Sequence, residues 1–123
     1  MQSINQENII KLYEVIKTKK NYYIVLEYCA GGDLHKFLKK RKRISEHEVQ
    51  SILYQLSNGF RVLYQKDIIH RDIKLSNLLF LDKTPNSLVK IADFGFAKLI
   101  QSEAAVGTFC GTPPHMAPEI LLK

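Results

Sequence analysis

The sequence predicts an α+β fold, and three observations predict it. Two runs rich in aromatic and β-branched residues, Lys11 to Thr18 and Tyr22 to Tyr28, flank a Lys19-Lys20-Asn21 turn in the manner of a hairpin. A sustained apolar stripe at helical spacing follows, at Val49, Ile52, Leu53, Leu56, Phe60 and Leu63. Two short apolar runs, Leu78 to Leu81 and Leu88 to Ile91, then read as strands. The 123 residues are 46% hydrophobic and 24% charged. That composition is ordinary for a globular chain, and the length allows no more than one small domain.

Local signals place the elements between these landmarks. Gly31-Gly32-Asp33 breaks the second strand, and Asp33 is placed to cap a short helix. Leu34, Phe37 and Leu38 give that helix an apolar face at i, i+3 and i+4. Ser45 and Glu48 form an S-x-x-E capping box before the longer helix. Gly59 inside that helix costs helicity and marks close packing against a neighbour. Ile68-Ile69 lead into a polar loop, and Asp82 to Ser87, with Pro85 and Asn86, reads as a turn or small insertion. Beyond Ala92, Gly, Ser, Thr and Pro accumulate as far as Pro118, as expected of a long functional loop.

Composition narrows the function classes. Cys29 and Cys110 are far apart and form no CxxC pair, which argues against a disulfide framework or a zinc site and for a reducing compartment. Met1 to Asn8 is polar, so no secretory signal is expected. The apolar runs stop at five or six residues, too short for a transmembrane segment. A cytoplasmic protein is the expectation. The net charge of +6 is concentrated in Lys39, Lys40, Arg41, Lys42 and Arg43. Such a run reads either as a polyanion-binding or nuclear-import patch or as the solvated end of a helix. No aromatic residue interleaves with the charges as a base-stacking platform needs, so no nucleic-acid partner is expected.

The chemistry is concentrated in three segments. His70-Arg71-Asp72-Ile73-Lys74-Leu75-Ser76-Asn77 lies between the long helix and the first short strand. Asp93-Phe94-Gly95 follows the second, and Ala117-Pro118-Glu119 closes the loop beyond it. Taken singly, Asp72 reads as a solvated or capping acid and Asn77 as a turn residue. In this order, spacing and context they resemble the signature set of the protein kinases.

That resemblance implies a partial protein-kinase-like fold covering all 123 residues. Residues 1–26 would be the end of the N-lobe, 27–33 the hinge, and 34–123 the N-terminal part of the C-lobe. It implies ATP and Mg2+ as cofactors and a protein Ser/Thr hydroxyl as acceptor. Asp72 would orient the substrate hydroxyl and accept its proton. Lys74 would place a cation beside the phosphoryl group in transit. Asn77 and Asp93 would supply the hard oxygen ligands that magnesium requires. Gly95 would permit the turn that aims Asp93 inward, while His70 and Phe94 would hold the loop by packing. At the nucleotide's other end, Leu26 would be the gatekeeper, and the backbone of Glu27 and Cys29 would meet the adenine edge. Asp33 would lie near the ribose, and Leu79 would floor the adenine pocket.

Lys74 and Gly111-Thr112-Pro113 resemble the serine/threonine rather than the tyrosine enzymes. Glu27-Tyr28-Cys29-Ala30-Gly31-Gly32-Asp33-Leu34, and Pro85 through Ala97 with Phe96 after the D-F-G, are similar to the autophagy-initiating (Unc-51-like) kinases. Regulatory subunits are a further expectation. In that group Thr108 would be the activation-loop phosphorylation site, its phosphate pairing with Arg71. Leu75 and Pro114-His115 depart from the family's usual residues, although neither removes a phosphate- or metal-handling group.

The chain also contains no glycine-rich phosphate loop and no V-A-I-K-like strand lysine. These residues alone are therefore expected to be marginally folded and inactive. A truncated or pseudokinase-like binding module is the alternative. Retention of Asp72, Lys74, Asn77 and Asp93 argues against a decayed site.

Overall fold

The computed structural model describes residues 4–100 and 110–122. The chain opens on a hairpin of β1 (Leu12–Lys17) and β2 (Tyr22–Leu26), paired antiparallel. Thr18 and Asn21 close its turn: the Thr18 N–H donates to the Asn21 carbonyl at 2.8 Å, and the Asn21 N–H donates to Thr18 Oγ1 at 3.0 Å. β3 (Gly32–Asp33) leads directly into α1 (Leu34–Arg41). The expected cap is present, with the Lys36 N–H donating to Asp33 Oδ1 at 2.8 Å. α2 (Glu46–Gln65) begins at the Ser45–Glu48 capping box, where each side chain accepts from the other residue's backbone N–H. Then come β4 (Ile68–Ile69), β5 (Leu78–Phe80), β6 (Val89–Ile91), β7 (Lys98–Leu99) and α3 (Pro118–Leu121). Among the described residues the strand order is β1-β2, β3-β5-β6 and β4-β7, in three small sheets.

The core forms where α2 presses on β6. Val89 and Ile91 have no exposed surface, and Ile9, Leu34, Ile52, Leu56, Leu63 and Leu78 surround them. Gly59 is the point of closest approach. A Cβ there would lie 2.8 Å from Ile91 Cδ1 and 3.2 Å from the Asn8 carbonyl, so the packing inferred from sequence is real. On its outer edge β6 is joined by residues 8–10, with the Ile91 N–H donating to the Asn8 carbonyl at 2.8 Å and the Ile10 N–H to the Ile91 carbonyl at 2.9 Å. Asn8 itself is 1% exposed. Its amide donates to the Val89 carbonyl at 3.0 Å and to Gln55 Oε1 at 3.3 Å, and Gln55 Oε1 also accepts the Val89 N–H at 2.9 Å. A buried amide so fully matched fixes helix, strand and entering segment together.

Three expectations need correction. Of the apolar stripe on α2, Leu53 and Phe60 are exposed, and the buried face is Ile52, Leu56, Gly59 and Leu63. Those positions follow the helical period, whereas Leu53 and Phe60 each fall one residue, roughly 100°, off it. Ile68-Ile69 do not merely lead into a loop, because they pair with Lys98-Leu99. The predicted strands at 11–18, 22–28, 78–81 and 88–91 are each one or two residues shorter than expected.

Asn8→Ala would leave the Val89 carbonyl without its side-chain donor, at a cost of roughly 1–3 kcal/mol. Gly59→Val would overpack the α2–β6 contact by a similar amount, roughly 1–3 kcal/mol. Urea unfolding followed by circular dichroism should show both as lowered midpoints. An unchanged midpoint in either variant contradicts this picture of the core.

Candidate active site

β4 and β5 bracket a loop whose side chains face one another. His70 is buried, its Nε2 lies 2.9 Å from the Ala92 carbonyl, and its ring packs against Phe94 with centroids 4.8 Å apart and planes tilted by 60°. It accepts the Asp72 N–H on Nδ1 at 3.3 Å, so its role is to hold the loop. Arg71 takes a left-handed backbone, with φ 67°. This turns the buried Asp72 carboxylate toward Lys74, Asn77 and Thr112.

All three side chains reach it. Lys74 Nζ lies 2.8 Å from Asp72 Oδ2, and the Asn77 amide donates to the same oxygen at 3.0 Å and to the Asp72 carbonyl at 2.9 Å. The Thr112 hydroxyl donates to Asp72 Oδ1 at 2.5 Å while accepting from Lys74 Nζ at 2.8 Å. The hydrogen bond from Lys74, then that from Thr112, hold the Asp72 carboxyl down at about 2 against the opposing effect of burial. It is a carboxylate at neutral pH, able to orient a hydroxyl but weakly basic.

Sequence reasoning placed Thr112 only in a docking loop and missed this role. The one signal was the neighbouring glycine. Gly111 has φ 118°, and a Cβ there would lie 2.6 Å from the Arg71 carbonyl, so only glycine lets Thr112 approach.

Asp93 follows β6, one residue beyond Ala92, where the chain meets the loop. The Ala92 N–H donates to the Asn77 carbonyl at 2.8 Å, tying the two expected metal ligands through the backbone. The turn differs from expectation. Asp93 itself is left-handed, at φ 61° and ψ 71°, whereas Gly95 is not at positive φ. Gly95 contributes its N–H to Asp93 Oδ1 at 3.3 Å, and a Cβ on it would lie 3.2 Å from that oxygen. Because the Asn77 amide hydrogens are spent on Asp72, its oxygen is the atom left for a cation. One amide oxygen and one carboxylate suit magnesium, which keeps water and phosphate oxygens in its shell. Among the described residues no cluster of three or more His, Cys, Asp or Glu gathers elsewhere as a cation cage.

The remaining expected residues lie along β2, β3 and β5. Leu26 ends β2 and is half-exposed. The Ala30 and Gly31 N–H groups donate to the Leu81 and Phe80 carbonyls, at 2.9 and 3.1 Å. The backbone of Cys29 takes no hydrogen bond among the described residues. Partial burial, then the neighbouring Glu27 carboxylate, push the Cys29 thiol up. Asp33 and Leu79 are cross-strand partners. The Asp33 carboxylate is already engaged by the Lys36 N–H, which holds it below its usual range, and by Lys36 Nζ at 3.1 Å. Lys39, Lys40 and Arg41 occupy the last turn of α1 and are exposed, as are Lys42 and Arg43 beyond it. Arg71 donates from Nε to the Phe96 carbonyl at 2.6 Å, and its Nη1 is buried with no partner among the described residues. Thr108 lies outside the described residues.

Known proteins resemble the chain over its whole length. The protein kinase domain family matches residues 1–123. The chain is 43% identical over 121 residues to the serine/threonine-protein kinase ATG1a of Arabidopsis thaliana, covering 98% of this chain and 19% of that protein. It is 40% identical over 124 residues to the serine/threonine-protein kinase atg1 of Dictyostelium discoideum, covering 98% and 19%. It is 41% identical over 129 residues to the human serine/threonine-protein kinase ULK1, covering 100% and 12%. The chain thus spans less than a fifth of the length of these relatives. With its catalytic loop, Asp93 segment and full-length match in agreement, the chain belongs to the protein kinase family.

Proposed function

We propose that this chain carries the phosphoryl-transfer centre of a serine/threonine protein kinase that acts in autophagy initiation in the cytoplasm. The observation that carries the reading is the closed set of contacts around Asp72, from Lys74, Asn77 and Thr112, beside Asp93. Residues 1–26 serve as the end of its N-lobe, 27–33 as the hinge, and 34–123 as the first part of the C-lobe. No helix among the described residues is long and apolar enough to cross a membrane.

Mg-ATP supplies the phosphoryl group and the cation that spreads its charge. Leu26, the backbone of Glu27 and Cys29, Asp33 and Leu79 hold the nucleoside end. Asn77 and Asp93 hold the metal. Asp72 accepts a hydrogen bond from the acceptor Ser or Thr hydroxyl and aims its oxygen. As a weak base it takes the proton late, so its contribution is mainly orientation. Lys74 places positive charge beside the developing negative oxygens. Thr112 ties the substrate-docking segment to both. Phosphorylation of Thr108 supplies an anion for Arg71 Nη1, which is buried with no partner among the described residues.

β1 and β2 leave Tyr13, Val15, Ile16, Tyr22, Tyr23, Ile24 and Val25 at least 40% exposed. Side chains alternate along a strand, so these residues leave both faces of the hairpin apolar, and that surface is covered in the working enzyme, by the rest of its fold or by regulatory subunits. A protein of these 123 residues alone should show no turnover; measurable ATP-dependent transfer by it would contradict that.

In the native protein, Asp93→Asn and Asp72→Asn should each lower transfer by roughly 10²–10³-fold or more. Phosphoamino-acid analysis of the product should show phosphoserine or phosphothreonine and no phosphotyrosine. Transfer at the wild-type rate by Asp93→Asn would sink the reading.

The Asp72 carboxyl is held at about 2 in the folded state, below its ordinary 3.8. A lowered folded value stabilises above the unfolded value and is lost as pH falls through the folded one. The stability gap between wild type and Asp72→Asn should be flat above about pH 4 and close toward pH 2. A gap unchanged across that range in urea unfolding would refute the assignment.

A further inference from the structure

Lys90 stands in β6 between Val89 and Ile91, both without exposed surface, and is itself only 5% exposed. A lysine in that position is costly unless it is paired. Its Nζ lies 2.8 Å from Glu27 Oε1, with the two side chains 7% and 16% exposed. Glu27 is anchored in turn. Its Oε2 accepts the Lys11 N–H at 3.1 Å, and its own N–H donates to the Lys11 carbonyl at 2.9 Å.

Stability does not require this pair, because well-packed apolar side chains in place of a buried ion pair are often neutral or stabilising. What the pair supplies is a fixed geometry between two distant segments. One end is the segment proposed above to hold the nucleoside, and the other is the strand that leads into Asp93. No single motif read from the sequence contains both residues, and none of the chemistry assigned above uses the contact between their side chains.

We propose that Glu27 and Lys90 form a positioning pair that sets the spacing between the nucleoside-binding segment and the metal ligand Asp93. The inference rests on the kinase reading of the site. A ligand that engages both ends then binds them at once, because the second contact is made at high effective concentration. A ligand that engages one end gains nothing from the spacing.

The test compares Mg-ATP, which reaches both ends, with adenosine, which reaches one, by calorimetry on the native protein. Lys90→Met should weaken Mg-ATP about tenfold and change adenosine by less than about twofold. The double variant E27Q/K90M leaves no unpaired buried charge and keeps an acceptor for the Lys11 N–H. It should show the same selective loss, and it carries the measurement if Lys90→Met does not fold. Mg-ATP affinity at the wild-type level in the double variant overturns the proposal. Equal loss for both ligands also overturns it, since the pair would then only hold the fold. Turnover of a Ser/Thr peptide by the wild type tests the kinase reading separately. A wild type that binds Mg-ATP without turnover fails that reading, while the affinity ratio still judges the pair. A wild type that binds no Mg-ATP overturns both.

Discussion

β6 is bonded on one edge to β5 and on the other to residues 8–10, and α2 covers it at Gly59. The rest of the molecule depends on that three-sided restraint. Asp93 leaves the end of this strand, the Ala92 carbonyl receives His70, and the Ala92 N–H reaches Asn77. Asn8 and Gln55 hold the strand's far end by matching the backbone of Val89. A loop that bore Asp93 without this support would lose the alignment on which a two-oxygen cation site relies.

The catalytic loop is secured from a second direction. Thr112 bonds both Asp72 and Lys74, and Gly111 passes against the Arg71 carbonyl. The segment that carries Thr112 is therefore part of the site and not only its border. Arg71 also holds the Phe96 carbonyl, so catalytic loop, Asp93 segment and Thr112 segment share one residue as a junction.

Much of the site was legible in sequence because its chemistry needs particular residue types at short, fixed spacing. Asp72, Lys74 and Asn77 fall within one short loop, and the D-F-G marks Asp93 only in its order and spacing after that loop. The capping residues Asp33, Ser45 and Glu48 were legible for the same reason, since a cap is a local hydrogen bond. Contacts between residues far apart were not. The Thr112 bonds, the Glu27–Lys90 pair and the two-residue pairing of β4 with β7 depend on a fold that no local pattern encodes. Leu53 and Phe60 misled because apolar character was counted without the phase of the helix. Gly95 misled because glycine suggests the strained position, whereas here aspartate occupies it.

The proposed kinase function requires Asn77 and Asp93 to hold a metal–nucleotide complex together. Mn2+ in place of Mg2+ tests it by paramagnetic broadening in NMR spectra of the native protein. With ATP present, the side-chain amide signals of Asn77 and the backbone signals of Asp93 should vanish, while those of Asn58 on the surface of α2 persist. Bound ATP and Mn2+ with the Asn77 and Asp93 signals intact would contradict the account.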